Sequence, residues 1–373
     1  MGKIKLHNQF KYKFCPYIPY AIMRNIYFII LSGFLLYSCS DNRKQNWQCD
    51  FTADDFEQVN LTINEGSEVN IGDAILGRPV LIQLLDKGIL AVSDSKSDNM
   101  AWLIDMENNK SKGILNRGEG PEELTELTTM SSHGNRLSVA SMNDGKLLCF
   151  NVNADSLSLE LSTGIRLPYQ PLRSIFVNDS VTFSIAPTFS GHRYNIYHTN
   201  DSSVEYYDIF PLDSAFIEMR PDNTVFQSNI TLSPDGKLIA IACMQWNTIE
   251  LIDIDKNEIK VLYGPEPTYA SVAKKDRGIA YSYDQNPRWY TWHCQPVLSI
   301  DRMYFGYDGY CRKENDQQEH GNKFIYSFSR EGKPLKIYNF DTVFTSFTVD
   351  EENNCFYVVH NEPEPTIIKY PLK

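Results

Sequence analysis

The sequence predicts an all-β chain folded as a six-bladed β-propeller whose last blade is closed by an N-terminal strand. Three features point there. Alternating strand patterns recur in four-stranded units at a spacing of roughly 45–65 residues, the period of propeller blades. Each unit opens with two short strands joined by a tight polar turn. The 373 residues include 22 Tyr and 20 Phe, side chains that favour a pleated, half-buried surface.

The first unit runs through 80–85, the turn Asp86-Lys87-Gly88, then 89–94, 101–106 and 112–115. The second has 127–131, the turn His133-Gly134-Asn135, then 137–141, 146–152 and 157–165. The third has 172–177, the turn Asn178-Asp179-Ser180, then 181–185, 194–198 and 204–209. In the fourth, 229–232 enters Ser233-Pro234-Asp235-Gly236-Lys237 and continues through 238–243, 248–254 and 258–262. There Pro presets φ and Gly supplies a positive φ, so the hairpin has a mechanism. The fifth has 297–300, 303–307, 323–328 and 336–340, and the sixth only 344–349, 355–360 and 366–370. An open sheet edge is costly, so the strand-like run 57–63 is expected to close the three-stranded last unit.

At the amino terminus, an apolar run over 26–37 follows Arg24. A spanning helix needs about 20 such residues, so the run matches the core of a signal peptide. It ends at Leu36-Tyr37-Ser38-Cys39, which resembles a bacterial lipobox. The expected organisation is a signal peptide over 1–38, with Met23 a candidate true start. A lipidated Cys39 and a polar, flexible tether over 39–55 follow, and then the propeller over 56–373. An ordinary secretion signal cleaved nearby is the alternative. The expected location is the cell envelope, on the outer membrane, with the periplasmic or surface side left open.

Net charge is −12, and no Asp or Glu precedes Asp41. Without residues 1–38 the chain carries 30 basic against 47 acidic residues. Such a surface repels nucleic acid and anionic headgroups. The chain is therefore expected to be a monomer that touches membrane only through its lipid and binds no nucleic acid. Cys49, Cys149, Cys243, Cys294, Cys311 and Cys355 lie far apart without a Cys-x-x-Cys, which argues against zinc. They read as small core residues, with Cys294–Cys311 the one pair worth testing as a disulfide.

In a propeller the first turn of each blade lies on one face. The connections between blades, and those between second and third strands, lie on the other. The long stretches 116–126, 186–193, 210–226, 263–295 and 308–322 all fall on the second face, where binding is expected. The tight-turn face is expected to offer little to grip. Candidate binding residues on the loop-rich face are Arg117, Gly118, Gly120, Arg288, Trp289, Trp292 and His293, since aromatic and Arg side chains anchor recognition surfaces. For Trp289 and Trp292 the alternative is that they pack the long loop onto the rim. Trp and Tyr suit apolar side chains and sugar rings, so the expected partner is a protein or a glycan.

The segment Asn116-Arg117-Gly118-Glu119-Gly120-Pro121-Glu122-Glu123-Leu124 resembles the Arg-Gly-x-Gly-Pro-x-Glu segment of the TolB-like six-bladed propeller lipoproteins of Bacteroidota. The turn at 233–237, the segment Arg330-Glu331-Gly332-Lys333-Pro334-Leu335 and the closing stretch 347–370 are similar to the same family. The resemblance covers about 56–373 and the lipoprotein start. It implies the fold and an envelope location and brings no catalytic role with it. Gly118 and Gly120 are expected to permit a backbone closed to other residues. Arg117 either points into the channel mouth or braces its loop.

The chain has no Gly-x-Ser-x-Gly, His-Glu-x-x-His, phosphate-binding glycine loop or EF-hand loop. No catalytic residue, cofactor or metal is expected, and the function expected is that of a binding or scaffold module. The alternative is a hydrolase or lyase with a metal at the channel mouth, drawing on ligands such as Asp94, Asp308 and His293. The anchor is testable directly. Cys39→Ala is expected to move the protein from membranes to a soluble periplasmic pool on cell fractionation, and a variant that stays with membranes places the anchor elsewhere.

Overall fold

Six antiparallel sheets stand around a ring in the computed structural model, which describes residues 49–185, 192–207, 227–266, 272–275, 278–281, 289–311 and 321–373. Blade 1 is Pro79–Leu85, Ile89–Asp94, Asn99–Asp105 and Lys110–Asn116; blade 2 is Thr129–His133, Arg136–Ala140, Lys146–Asn153 and Ser158–Arg166. Blade 3 is Arg173–Asn178, Val181–Ile185, Tyr194–His198 and Ser203–Tyr207; blade 4 is Ser228–Leu232, Leu238–Cys243, Thr248–Asp253 and Glu258–Tyr263. Blade 5 holds Val297–Leu298, Arg302–Tyr307, Asn322–Ser329 and Pro334–Phe344; blade 6 holds Ser346–Asp350, Cys355–His360 and Thr366–Pro371. The first strand of each blade touches the first strand of the next, and blade 6 returns to blade 1. Most strand ends fall within two or three residues of the positions expected from the sequence.

Alternation explains the packing. In Leu238–Cys243, Ile239 and Ile241 face blade 3 and meet Ile175, Phe183 and Ile185. Leu238, Ala240 and Ala242 face the other way, toward Met303 and Phe305 of blade 5. Each strand residue thus belongs to one of two blade junctions, and each large apolar side chain buried there contributes roughly 1.5–3 kcal/mol.

An N-terminal strand does close the last blade, but it is Ser67–Glu68, antiparallel to Thr366–Pro371 with Ser67 opposite Lys369. The run expected to close blade 6 instead forms Glu57–Leu61, a fifth strand on blade 5. It runs parallel to Pro334–Phe344, from Glu57 opposite Lys336 to Leu61 opposite Phe340. Its buried side chains Val59 and Leu61 find an apolar seat at the blade 5–6 junction with Tyr338, Phe340, Phe356 and Tyr370. The true closing strand has only two residues, too short to show an alternating pattern.

The packed domain also begins earlier than residue 56. Asp50 N–H donates to Tyr263 O at 2.8 Å, and Asp50 Oδ2 accepts from Tyr263 N–H at 2.9 Å. Phe51 and Phe56 enter the blade 4–5 junction, both within 5.2 Å of the Phe328 ring. Residues 50–55 are therefore packed on the propeller and are not the flexible tether expected there. The signal segment expected over 1–38 and Cys39 lie outside the described residues. Further on, Val69, Ile71 and Leu76 join the blade 6–1 junction. The segment from 50 to 76 is thus a belt around the outer rim that crosses three junctions.

Cys149, Cys243, Cys294 and Cys355 are buried free thiols. Cys294 Sγ lies 3.1 Å from Thr345 O, so the Cys294–Cys311 disulfide is not formed. No helix among the described residues is long and apolar enough to cross a membrane. The belt predicts that Phe51→Ala and Phe56→Ala each lower unfolding free energy by about 3–5 kcal/mol in urea denaturation, whereas Leu161→Ala, at an exposed site, changes it little. Equal, small losses for all three would show that the belt is ornamental.

Candidate functional site

Leaving blade 1 on the loop-rich face, the chain must turn back to the inner strand of blade 2. It does so in a closed turn over 116–124. Gly118 N–H donates to Leu124 O at 3.0 Å, Leu124 N–H to Asn116 O at 3.4 Å, and Arg117 and Leu124 form a bridge. The carbonyls of Glu119, Gly120 and Glu123 converge on the Lys146 ammonium at 3.2, 2.6 and 2.8 Å. Lys146 is 7% exposed. A buried ammonium is costly unless its three N–H groups are all taken, and these three carbonyls take them. The charge is answered by Asp144, 3.9 Å away. Burial pushes the Asp144 pKa up, but hydrogen bonds from Ser141 and Thr125 outweigh that and hold the carboxyl below its ordinary range.

Gly118 and Gly120 lie against the Glu123 side chain, and the expectation of a special backbone is corrected: neither has a positive φ. The Glu123 side chain folds back over both. Its Oε2 accepts Gly120 N–H at 2.9 Å, and a Cβ at Gly118 would overlap its carboxylate. Arg117 is the brace, with Nη1 donating to Thr125 O at 2.8 Å.

The mouth of the central channel on this face is barred by 291–295. Thr291 N–H donates to Met244 O at 3.1 Å, and Thr291 Oγ1 lies 2.8 and 2.9 Å from the Cys243 and Trp246 carbonyls of blade 4. Asn229 Nδ2 donates to His293 O at 3.1 Å. Cys294 Sγ meets Thr345 O beside blade 6. Gln295 Nε2 crosses the ring to Met130 O of blade 2 at 2.7 Å. A segment of blade 5 is thereby stitched to blades 2, 4 and 6.

This bar decides where the candidate aromatics go. Trp292 is fully buried, packed by Phe51, Phe305, Tyr307 and Tyr326 with its ring 4.8 Å from that of Tyr307. It is a core residue and no part of a binding surface, because the blade 4–5 junction offers it a larger apolar seat than water does. His293 is exposed. Trp289 pairs through its backbone with Cys311 in a two-stranded ribbon; its side chain, and Arg288 entirely, lie outside the described residues. Arg117 stands by the blade 1–2 junction and Trp292 at the blade 4–5 junction, on opposite sides of the ring. The two groups do not form one surface.

The acids considered as metal ligands are also dispersed. Asp94 of blade 1 accepts backbone N–H groups from Gly77, Arg78, Lys96 and Ser97 at 2.6–3.1 Å. Its oxygens are committed to holding a loop. Asp308 follows a strand of blade 5, where burial raises its carboxyl to about 7. Among the described residues, no three or more His, Cys, Asp or Glu side chains are grouped as a metal would require.

Two concavities were not legible in the sequence. A groove of about 500 Å³ lies between the outer strands of blades 1 and 2, floored by Ile114, Phe150, Leu157 and Leu159 and ended by the turn at 120–123. A cleft of about 340 Å³ opens among the tight turns of blades 2, 3 and 4, on the face expected to offer little to grip. The one local sign of the first was a Lys at the head of the apolar strand Lys146-Leu147-Leu148-Cys149-Phe150.

A profile of TolB-like six-blade propeller-like proteins matches residues 56–352. No curated protein sequence matches the chain. Among solved structures it is similar to a putative exported protein from Bacteroides fragilis, at 12% identity and a TM-score of 0.47, covering 84% of this chain and 98% of that one. It is similar also to a member of the DUF4221 family from Bacteroides vulgatus, at 11% identity and a TM-score of 0.47, covering 83% and 98%. A streptogramin B lyase structure is similar at 13% identity and a TM-score of 0.43, covering 82% and 96%.

The Lys146 cage predicts the behaviour of its turn. Lys146→Met strands three carbonyls and is expected to cost about 2–3 kcal/mol, with faster hydrogen exchange at the Gly118, Gly120 and Leu124 amides. Unchanged exchange at those amides would mean that the turn holds itself.

Proposed function

The chain belongs to the TolB-like six-bladed propeller family, and we propose that it is a binding module of the cell envelope, anchored by lipid at Cys39. In this reading it takes an extended segment of a partner protein into the groove between blades 1 and 2. The groove itself carries the proposal. Its walls are the outer strands Lys110–Asn116 and Ser158–Arg166. Their outward backbone groups pair with no further strand among the described residues. Such edges are templates for an added strand, and the chain uses the equivalent edge of blade 5 for its own Glu57–Leu61. The apolar floor suits the alternate side chains of an extended peptide. The end wall at 120–123 is held rigid by Lys146, so little ordering is needed on binding.

A glycan is less well served, because Trp292 is in the core and cannot stack on a sugar. A metal-dependent hydrolase or lyase drawing on Asp94, Asp308 and His293 is less well served, because Asp94 belongs to blade 1 and the other two stand beside blade 5, and the Asp94 oxygens are taken by backbone N–H groups. Envelope anchoring rests on the lipobox-like Ser38-Cys39, whose acyl chains would each contribute roughly 0.8 kcal/mol per buried methylene.

An array of overlapping envelope-protein peptides tests the groove. Ser158→Arg with Leu159→Arg is expected to weaken peptide binding at least tenfold at an unchanged unfolding midpoint. Changes at Lys87, Asn135 and Lys237 on the tight-turn face should leave it intact. Binding that survives the groove variant would overturn the assignment.

A further inference from the structure

We infer that blades 2 and 3 hold between them a second binding site, entered from the tight-turn face, for a small neutral polyhydroxylated molecule of the size of a mono- or disaccharide. Among the described residues, five of the six blade junctions are filled by apolar clusters: 1–2, 3–4, 4–5, 5–6 and 6–1. The junction of blades 2 and 3 is built differently. Strand alternation gives Met130, Leu137, Val139 and Leu148 of blade 2 to the cluster shared with blade 1. It turns Thr129, Ser131, Ser138 and Cys149 the other way. On blade 3, Ile175, Phe183 and Ile196 face blade 4, which leaves Ser174, Thr182, Ser184 and Asn195 to face blade 2. The two faces meet, since Arg173–Asn178 touches both Arg136–Ala140 and Lys146–Asn153. Apart from Ala140, Leu147 and Phe176, hydroxyls, an amide and a thiol therefore stand where the other junctions have Leu, Ile and Phe.

Some of these groups satisfy one another. Ser174 and Ser184 hydroxyls lie 2.8 Å apart, and Tyr169 OH donates to Ser184 Oγ at 3.2 Å. Others do not. Asn195 is fully buried, and neither of its amide atoms has a hydrogen-bond partner; the same is true of Thr129 Oγ1, while the buried Thr182 hydroxyl is met by that of Tyr169. Folded proteins rarely keep unsatisfied polar groups unless water or a ligand supplies the missing bonds. They form a layer of unused donors and acceptors inside one junction.

The cleft of about 340 Å³ opens onto this same junction, within the range of small-molecule sites at roughly 300–1,000 Å³. Ser131, Ser138, Cys149 and Phe176 line it from blades 2 and 3, and Pro234 from blade 4. Ser174, two residues along the strand from the lining Phe176, stands in register with Ser184 and Asn195, so the unsatisfied amide lies one step deeper in the junction than the lining. The charges at its mouth already have partners. Arg136 Nη2 bonds Asp179 Oδ1 at 2.9 Å across the junction, and Asp235 is held by Arg330 at 2.8 Å. A charged ligand would have to break one of these pairs or stay unpaired. A ligand with many hydroxyls and no charge meets hydroxyls at the lining and an apolar ring and proline for its C–H face. None of these residues belongs to the groove between blades 1 and 2, so the two proposals stand or fall separately.

The test uses the full chain without residues 1–38, titrated by calorimetry and thermal shift with glucose, galactose, mannose, N-acetylglucosamine, maltose and cellobiose. Gluconate and glucosamine are the charged counterparts. At least one neutral sugar is expected to bind and raise the melting temperature, with its charged counterpart at least tenfold weaker. Ser138→Leu, which fills the cleft, is expected to abolish binding. Asn195→Leu is expected to weaken it at least tenfold while melting no lower than wild type, because it removes the unsatisfied amide. The inference is overturned if no neutral sugar binds, if charged counterparts bind equally, or if Ser138→Leu leaves binding unchanged. It is overturned as well if Asn195→Leu raises stability without affecting binding, the signature of a junction that holds only water.

Discussion

A propeller is a ring of sheets, and each sheet is stable only if both of its faces are covered and the circle does not spring open between its two ends. That closure constraint organises this molecule. Its outer rim is tied by the belt over 50–76, which docks Phe51 and Phe56 between blades 4 and 5, adds Glu57–Leu61 to blade 5 and lays Ser67–Glu68 on blade 6. Its inner rim is tied by the bar over 291–295, with Gln295 reaching across to Met130. The belt crosses the point where the chain's last blade meets its first, where the ring is otherwise held by side-chain packing and by the hydrogen bond from Asn361 Nδ2 to Pro79 O at 3.1 Å.

Closure also dictates how charge is buried. Where polar groups cannot reach water they must be answered by the fold. Arg193 and Glu250, both 1% exposed, pair between blades 3 and 4, with Nη1 3.0 Å from Oε2 and the Tyr194 hydroxyl bonding the same carboxylate. Removing one partner of such a pair typically costs about 3–5 kcal/mol, because the other charge is left stranded. Lys146 solves the same problem with backbone carbonyls, and in doing so shapes the glycine-rich turn. The family-like segments at 233–237 and 330–335 are joined likewise, through Arg330 and Asp235. These segments recur on separate blades in the sequence, and in the fold each fastens one blade to the next.

Much of the architecture was legible because its causes are local. The turn Ser233-Pro234-Asp235-Gly236-Lys237 forms with Gly236 at φ +70° and Ser233 Oγ accepting Leu238 N–H at 2.9 Å, as its residue types require. Strands such as Leu238–Cys243 and Cys355–His360 begin and end where alternation and turn chemistry place them. The site was far less legible. Trp292 reads as an anchor in a long loop, yet its surroundings come from Phe51, Tyr307 and Tyr326, distant in sequence. Gly118 and Gly120 read as backbone requirements, whereas neither has a positive φ and both lie under the folded-back Glu123 side chain.

By itself, the sequence determined that the chain is a six-bladed propeller, where its blades lie and which turns join their strands, because side-chain alternation and turn preference act over a few residues. Only the tertiary structure decided which N-terminal strand closes blade 6, that residues 50–55 are packed, and that 291–295 bars the channel. It also decided that, among the described residues, one open concavity lies between blades 1 and 2 and another among the turns of blades 2, 3 and 4. Each of these depends on which surfaces are brought face to face when the ring closes, and that pairing joins residues too far apart in the chain for any local pattern to record.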